Sequence, residues 1–134
     1  MGRPTTKEKI ISWVFQIIAA IILAMAAYEK FSGNPLIGSV FDQLKMGDSG
    51  KKLIGIIEAI SAIMLITTNL CHFGALLGLG TMLGALIAHT TILGISVNND
   101  GGMMVGLMSL NIICCSIIMF IRRRSYPLIG DTFN

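Results

Sequence analysis

Charge is the first thing this sequence lacks. No Asp, Glu, Lys or Arg occurs between Glu58 and Asp100, and none between Asp100 and Arg122. Charged residues are 13% of the chain, against about 25% in soluble globular domains. A soluble helix bundle needs a polar face on each helix, so that class is excluded and a bilayer is the solvent these segments fit. Cysteine is scarce as well: Cys71, Cys114 and Cys115 show neither CxxC nor metal-ligand spacing. No metal site is expected, and small buried thiols are expected rather than a redox pair. No stripe of basic and aromatic residues exists, so the net charge of +3 is not read as a nucleic-acid signal. The basic residues sit at the ends of apolar segments, as topology determinants do. No catalytic motif emerges. No broken-helix pair or inverted repeat is visible, which counts against solute transport.

What the chain has is apolar length. Hydrophobic residues make up 54% of it, and the mean hydropathy is +0.78. Crossing about 30 Å of hydrocarbon takes roughly 20 apolar residues, and four segments qualify: 10–27, 53–70, 73–95 and 103–121. The expected fold is all-α, a single transmembrane four-helix bundle with an outer loop over 31–52 and a cytoplasmic tail over 122–134. The first span follows Arg3, Lys7 and Lys9, and Ala24-Met25-Ala26 imitates a signal-peptide cleavage site. Its apolar run exceeds a usual signal core, so it is expected to remain as a helix. Only Cys71 and His72 separate the second span from the third, placing His72 in a cytoplasmic turn as an ordinary solvated residue. The Asn- and Gly-rich residues 96–102 form the next turn. Arg3, Lys7, Lys9, Arg122, Arg123 and Arg124 outnumber Lys30, Lys45, Lys51 and Lys52, which puts both termini in the cytoplasm.

Small residues mark helix contacts in lipid. Gly74-xxx-Gly78 and Gly80-xxx-Gly84-xxx-Ala88 suit a central third span, with Ala20-xxx-Ala24 and Gly102-xxx-Gly106 elsewhere. A compact monomer and homo-oligomer contacts both remain open. Polar groups collect at one end. Glu58, His89 and Asn111 each lie roughly 8–12 Å inside their spans at about 1.5 Å per residue, and Tyr28, Glu29 and Lys30 close the first span on that side. Glu58, Ser61, Leu65 and Thr68 form one stripe; His89, Ala85, Thr81, Gly78 and Gly74 form another. Both are expected to face inward, because an ionisable group in lipid is costly. Glu58 is expected to pair with His89 or Lys30. The candidates for a ligand or proton site are Glu58, His89, Lys30, Tyr28 and Asn111; the alternative is that Glu58 only ties helices together. The other half of the bundle reads as plain apolar packing. From Pro35 onward, Leu36, Ile37, Val40, Phe41 and Leu44 alternate at helical spacing with Ser39, Asp42, Gln43 and Lys45. This predicts a short amphipathic interfacial helix, a lid over the polar cluster or a simple anchor.

Three stretches carry a family resemblance. They are Tyr28-Glu29-Lys30-Phe31-Ser32-Gly33, Gly55-Ile56-Ile57-Glu58, and the approach to His89 from Met82. Over roughly residues 10–121 the chain resembles the DoxX-like family of small four-helix membrane proteins, with its "K-F-x-G" end to the first helix, its "G-x-x-E" in the second and its late histidine in the third. Lys30, Gly33, Glu58 and His89 match the family's marking positions. The resemblance implies a multi-pass protein of a bacterial inner membrane, and a subunit of a membrane redox system binding a quinone or another small apolar ligand. An accessory or assembly subunit of a larger membrane complex is the alternative. The chain has no outer-side cysteine for thiol chemistry and no visible flavin, haem or iron–sulfur ligand set.

Overall fold

The computed structural model describes residues 5–33, 35–67, 69–93 and 103–123. Arg3, Thr68, the turn at 96–102 and the tail from Arg124 lie outside the described residues. Among these residues the chain forms helices joined by short turns, with no strand: α1 (Thr6–Phe31), α2 (Pro35–Gln43), α3 (Gly47–Leu65), α4 (Cys71–Ala88) running into a π-helical turn (His89–Leu93), and α5 (Met103–Ile121). Among the described residues, three stretches are long and apolar enough to cross a membrane: Thr6–Phe31, Cys71–Ile92 and Met103–Ile121. The expected span 53–70 falls on α3, which does not qualify by the same measure because its 19 residues include Asp48, Lys51, Lys52 and Glu58.

Helix ends differ from the expected ones for local reasons. α1 starts at Thr6, ahead of residue 10, because Thr5 and Glu8 form a capping box. Thr5 Oγ1 accepts from the Glu8 amide at 3.2 Å and Glu8 Oε1 accepts from the Thr5 amide at 3.0 Å, which satisfies amides a helix start leaves open. α1 ends at Phe31, where the Ser32 amide bonds to the Tyr28 carbonyl and Gly33 follows at φ 78°, the left-handed position glycine fills after a helix. The 31–52 loop is therefore mostly helical. α3 begins at Gly47 and stops at Leu65, short of the expected residue 70, with the Leu65 carbonyl taken by Gln16 Nε2 at 2.7 Å. The turn falls before Cys71 instead of on Cys71 and His72. His72 is consequently a first-turn residue of α4 and only 6% exposed, not a solvated one.

The four long helices contact one another in a ring, α1 on α3, α3 on α4, α4 on α5 and α5 on α1. Ala19, Leu23, Leu65, Ala75, Cys115 and Ile118 lie at its core. Cys71, Cys114 and Cys115 are buried, and none forms a disulfide. The glycines of α4 divide into two kinds. A methyl on Gly74 would lie 2.8 Å from the Leu65 backbone nitrogen and 3.0 Å from the Ser61 carbonyl. That close approach lets Ser61 Oγ donate to the Gly74 carbonyl at 2.7 Å. On Gly78 it would meet Leu23, Ser61 and Cys115, whereas on Gly80 or Gly84, as on Gly106 of α5, it would meet nothing within 4 Å. Of the two small-residue motifs on α4, only the first packs against helices. Gly74→Ala is expected to cost about 1–3 kcal/mol, because the obstructing atoms are backbone; unfolding in mixed micelles would measure it, and unchanged stability would contradict the close contact.

Candidate functional site

The residues that gather at one end do so because Gly55 lets α1 and α3 converge. A methyl there would lie 2.9 Å from the Phe31 ring and 3.3 Å from Lys30 Cβ. One turn further along α3, Glu58 meets Lys30: Nζ lies 2.6 Å from Oε1. Glu58 is 1% exposed, and its Oε2 has no hydrogen-bond partner among the described residues. α2 lies across this end. Its Ile37, Val40 and Phe41 pack with Ile54 of α3 and Met104 of α5. The Phe41 ring centroid is 5.9 Å from Lys30 Nζ, within reach of a cation–π attraction. α2 is held there by its own C-terminal turn, in which the Met46 amide bonds to the Phe41 carbonyl and Lys45 takes φ 60°. At its start α3 carries an ion cluster, with the exposed Asp48 3.1 Å from the exposed Lys52 Nζ and 3.3 Å from the largely buried Lys51 Nζ. Hydrogen bonds to Lys52 and then Lys51 hold the Asp48 carboxyl, ahead of the apolar stretch, below its usual range.

His89 opens the π-helical turn and is 2% exposed. Such turns widen a helix locally and recur at functional sites. Lys30, Glu58 and His89 all border one apolar cavity of about 1160 Å³. The unengaged carboxylate oxygen can accept a hydrogen bond from a ligand, and the neighbouring ammonium can donate one to a carbonyl. Among the described residues, no group of three His, Cys, Asp or Glu is placed to hold a metal ion.

Two of the five expected residues fall elsewhere. Tyr28 is 70% exposed on the outer face of α1, because the helix continues without a break and turns it away from Lys30. Asn111 is fully buried, and neither side-chain amide atom has a partner among the described residues. It lies beyond Met108, the last α5 residue of the cavity wall.

The opposite end is not the plain apolar packing expected of it. Gln16 Oε1 accepts from Ser12 Oγ at 2.5 Å and from Arg122 Nη2 at 3.3 Å, while Arg122 Nε donates to Ser12 Oγ at 3.2 Å. Arg122 is 7% exposed and both Ser12 and Gln16 are fully buried. Since Gln16 also donates to Leu65, the network joins α1, the end of α3 and the residue after α5. The guanidinium is thus linked through Gln16 to the carbonyl that ends α3. Residues spaced four apart, Ser12 and Gln16 inside an apolar helix, were the available signal. No protein-family model matches the chain, and neither a curated protein nor a solved structure does.

Proposed function

We propose that the chain is a DoxX-like membrane subunit that binds a quinone, or another small apolar ligand of that kind, at the Glu58 end within a membrane redox system. The observation that carries this reading is the buried Lys30–Glu58 pair, with one carboxylate oxygen unengaged, bordering a large apolar cavity beside His89. Ionisable groups inside a membrane bundle are expensive and therefore mark sites. The positions that carry the resemblance, Lys30, Gly33, Gly55, Glu58 and His89, all come from this end of their helices, which supports it. In this reading four helices cross the bilayer. α3 joins the three strongly apolar ones because Lys30 neutralises its Glu58, while Asp48, Lys51 and Lys52 lie at the interface. Both termini face the cytoplasm of a bacterial cell, and the Glu58 end lies in the outer leaflet beneath α2. Lys30 donates to a ligand carbonyl, and Glu58 accepts from a ligand hydroxyl and exchanges its proton, with His89 as the neighbouring acid–base group.

Glu58→Gln keeps the side-chain volume and an acceptor for Lys30 but removes the charge. Lys30 tolerates this because its long stem lets the ammonium reach more polar surroundings. The variant is expected to insert normally and to bind a decyl quinone at least about tenfold more weakly, equivalent to about 1.4 kcal/mol. A binding titration in nanodiscs reads this. Affinity equal to the parent's would sink the reading.

A further inference from the structure

The cavity does not end at the ion pair. Its wall follows α4 from His89 back through Gly84, Gly80 and Leu77 to Phe73, a rise of about 24 Å at about 1.5 Å per residue. That is more than half of the roughly 30 Å hydrocarbon core. Gly80 and Gly84 form the open part of this wall, since a methyl on either would touch nothing within 4 Å. Leu76 and Leu77 beside them are 47% and 36% exposed, so the groove opens sideways between helices. The volume of about 1160 Å³ exceeds the roughly 300–1,000 Å³ typical of sites for drug-sized ligands. At its head, Glu58 Oε2 is buried with no hydrogen-bond partner among the described residues, so it can accept from a ligand donor. The pair it belongs to is already neutral overall, which disfavours a charged head group and suits a hydroxyl.

We infer that this groove takes the tail of a single-chain, membrane-resident amphiphile that enters sideways from the bilayer and presents an uncharged, hydroxyl-bearing head to Glu58. The inference rests on the reading that the Glu58 end binds a ligand, and adds the ligand's shape and route. A second copy of the chain is a poorer occupant, because a helix face laid over Gly80 and Gly84 leaves the cavity behind them and the Glu58 oxygen unfilled. Lipid tails are as apolar as the groove, so the tail gains little from transfer. The groove acts by excluding misdirected heads.

Gly84→Leu and Gly80→Leu put a side chain into the groove from positions where a Cβ meets nothing within 4 Å, and a leucine is the better helix former. Two probes are titrated into parent and variants in nanodiscs: a long-chain alcohol, and one quinone ring with and without a decyl tail. Expected is saturable binding of the alcohol to the parent, weakened about tenfold by either leucine through overpacking against the tail, with unfolding no easier than the parent's. Binding of the tailless ring should survive the leucines. Alcohol binding that is absent in the parent, or equal in parent and variants, overturns the groove. So does a leucine variant that only converts a dimer to a monomer. If the alcohol behaves as expected but no quinone binds, the groove stands and the quinone reading falls. If the tailless quinone binds through Glu58 while the alcohol ignores both leucines, the reverse holds.

Discussion

Lys30→Ala is expected to lower the stability of the bundle by about 3–5 kcal/mol, the range for removing one partner of a buried ion pair. Glu58 has no second cation within ion-pair distance among the described residues, and it is only 1% exposed. The substitution also removes the stem that packs beside Gly55 and the ammonium beneath Phe41. A double variant separates charge from packing. Lys30→Met with Glu58→Leu keeps apolar volume and removes both charges, and such replacements are often neutral or stabilising. The double variant should therefore recover most of the loss. Unfolding in mixed micelles reads both. If the single variant unfolds like the parent, the pair is solvated and the site loses its central feature. If the double variant is as unstable as the single, packing rather than charge holds this end together. A stable double variant that binds no ligand is the outcome expected of a site kept for function at no gain in stability.

How much of this was legible in the sequence depends on the range of the interaction. The apolar runs of α1, α4 and α5 are local properties, and hydropathy alone finds them. The pairing of Lys30 with Glu58 was one of two expected partnerships, because both residues lie near the same end of antiparallel helices. Which partner Glu58 takes depends on Gly55, whose missing side chain brings α1 within reach. That is a packing fact with no periodic signature. Tyr28 turns outward for a related reason. It lies only two residues from Lys30 but about 200° around the helix, at about 100° per residue, and the bundle fixes which of the two turns inward. The α4 glycines were legible as motifs and not as contacts. Gly74 and Gly80 have the same spacing to a following glycine, yet one meets α3 and the other meets open space. The Thr5–Glu8 capping box was a readable signal that moves the start of α1 forward by four residues, about one turn.

The largest discrepancy lies at the Arg122 end, and it leads to an ordering that hydropathy would not anticipate. Arg122 reads as a topology determinant, and snorkelling would carry its charge outward. Instead it turns in to Gln16 and Ser12. Gln16 is the hub, with bonds to Ser12, Arg122 and the Leu65 carbonyl. Replacing it by leucine makes α1 more apolar, yet Gln16→Leu is expected to destabilise the bundle. Three hydrogen bonds worth about 0.6–1.7 kcal/mol each in a membrane protein give about 2–5 kcal/mol, and the variant leaves the guanidinium with Ser12 alone. Arg122→Leu removes two bonds, about 1–3 kcal/mol by the same scale. It leaves Gln16 still bonded to Ser12 and Leu65, so it should be the milder change. The two variants together should cost less than their sum, since they share a bond. Equilibrium unfolding in mixed micelles gives the ordering. A Gln16→Leu protein as stable as the parent, or more stable, would show that the end of α3 is held by apolar packing alone. The expected ordering would instead make this network the tie that fixes α1, α3 and α5 at the end opposite Glu58.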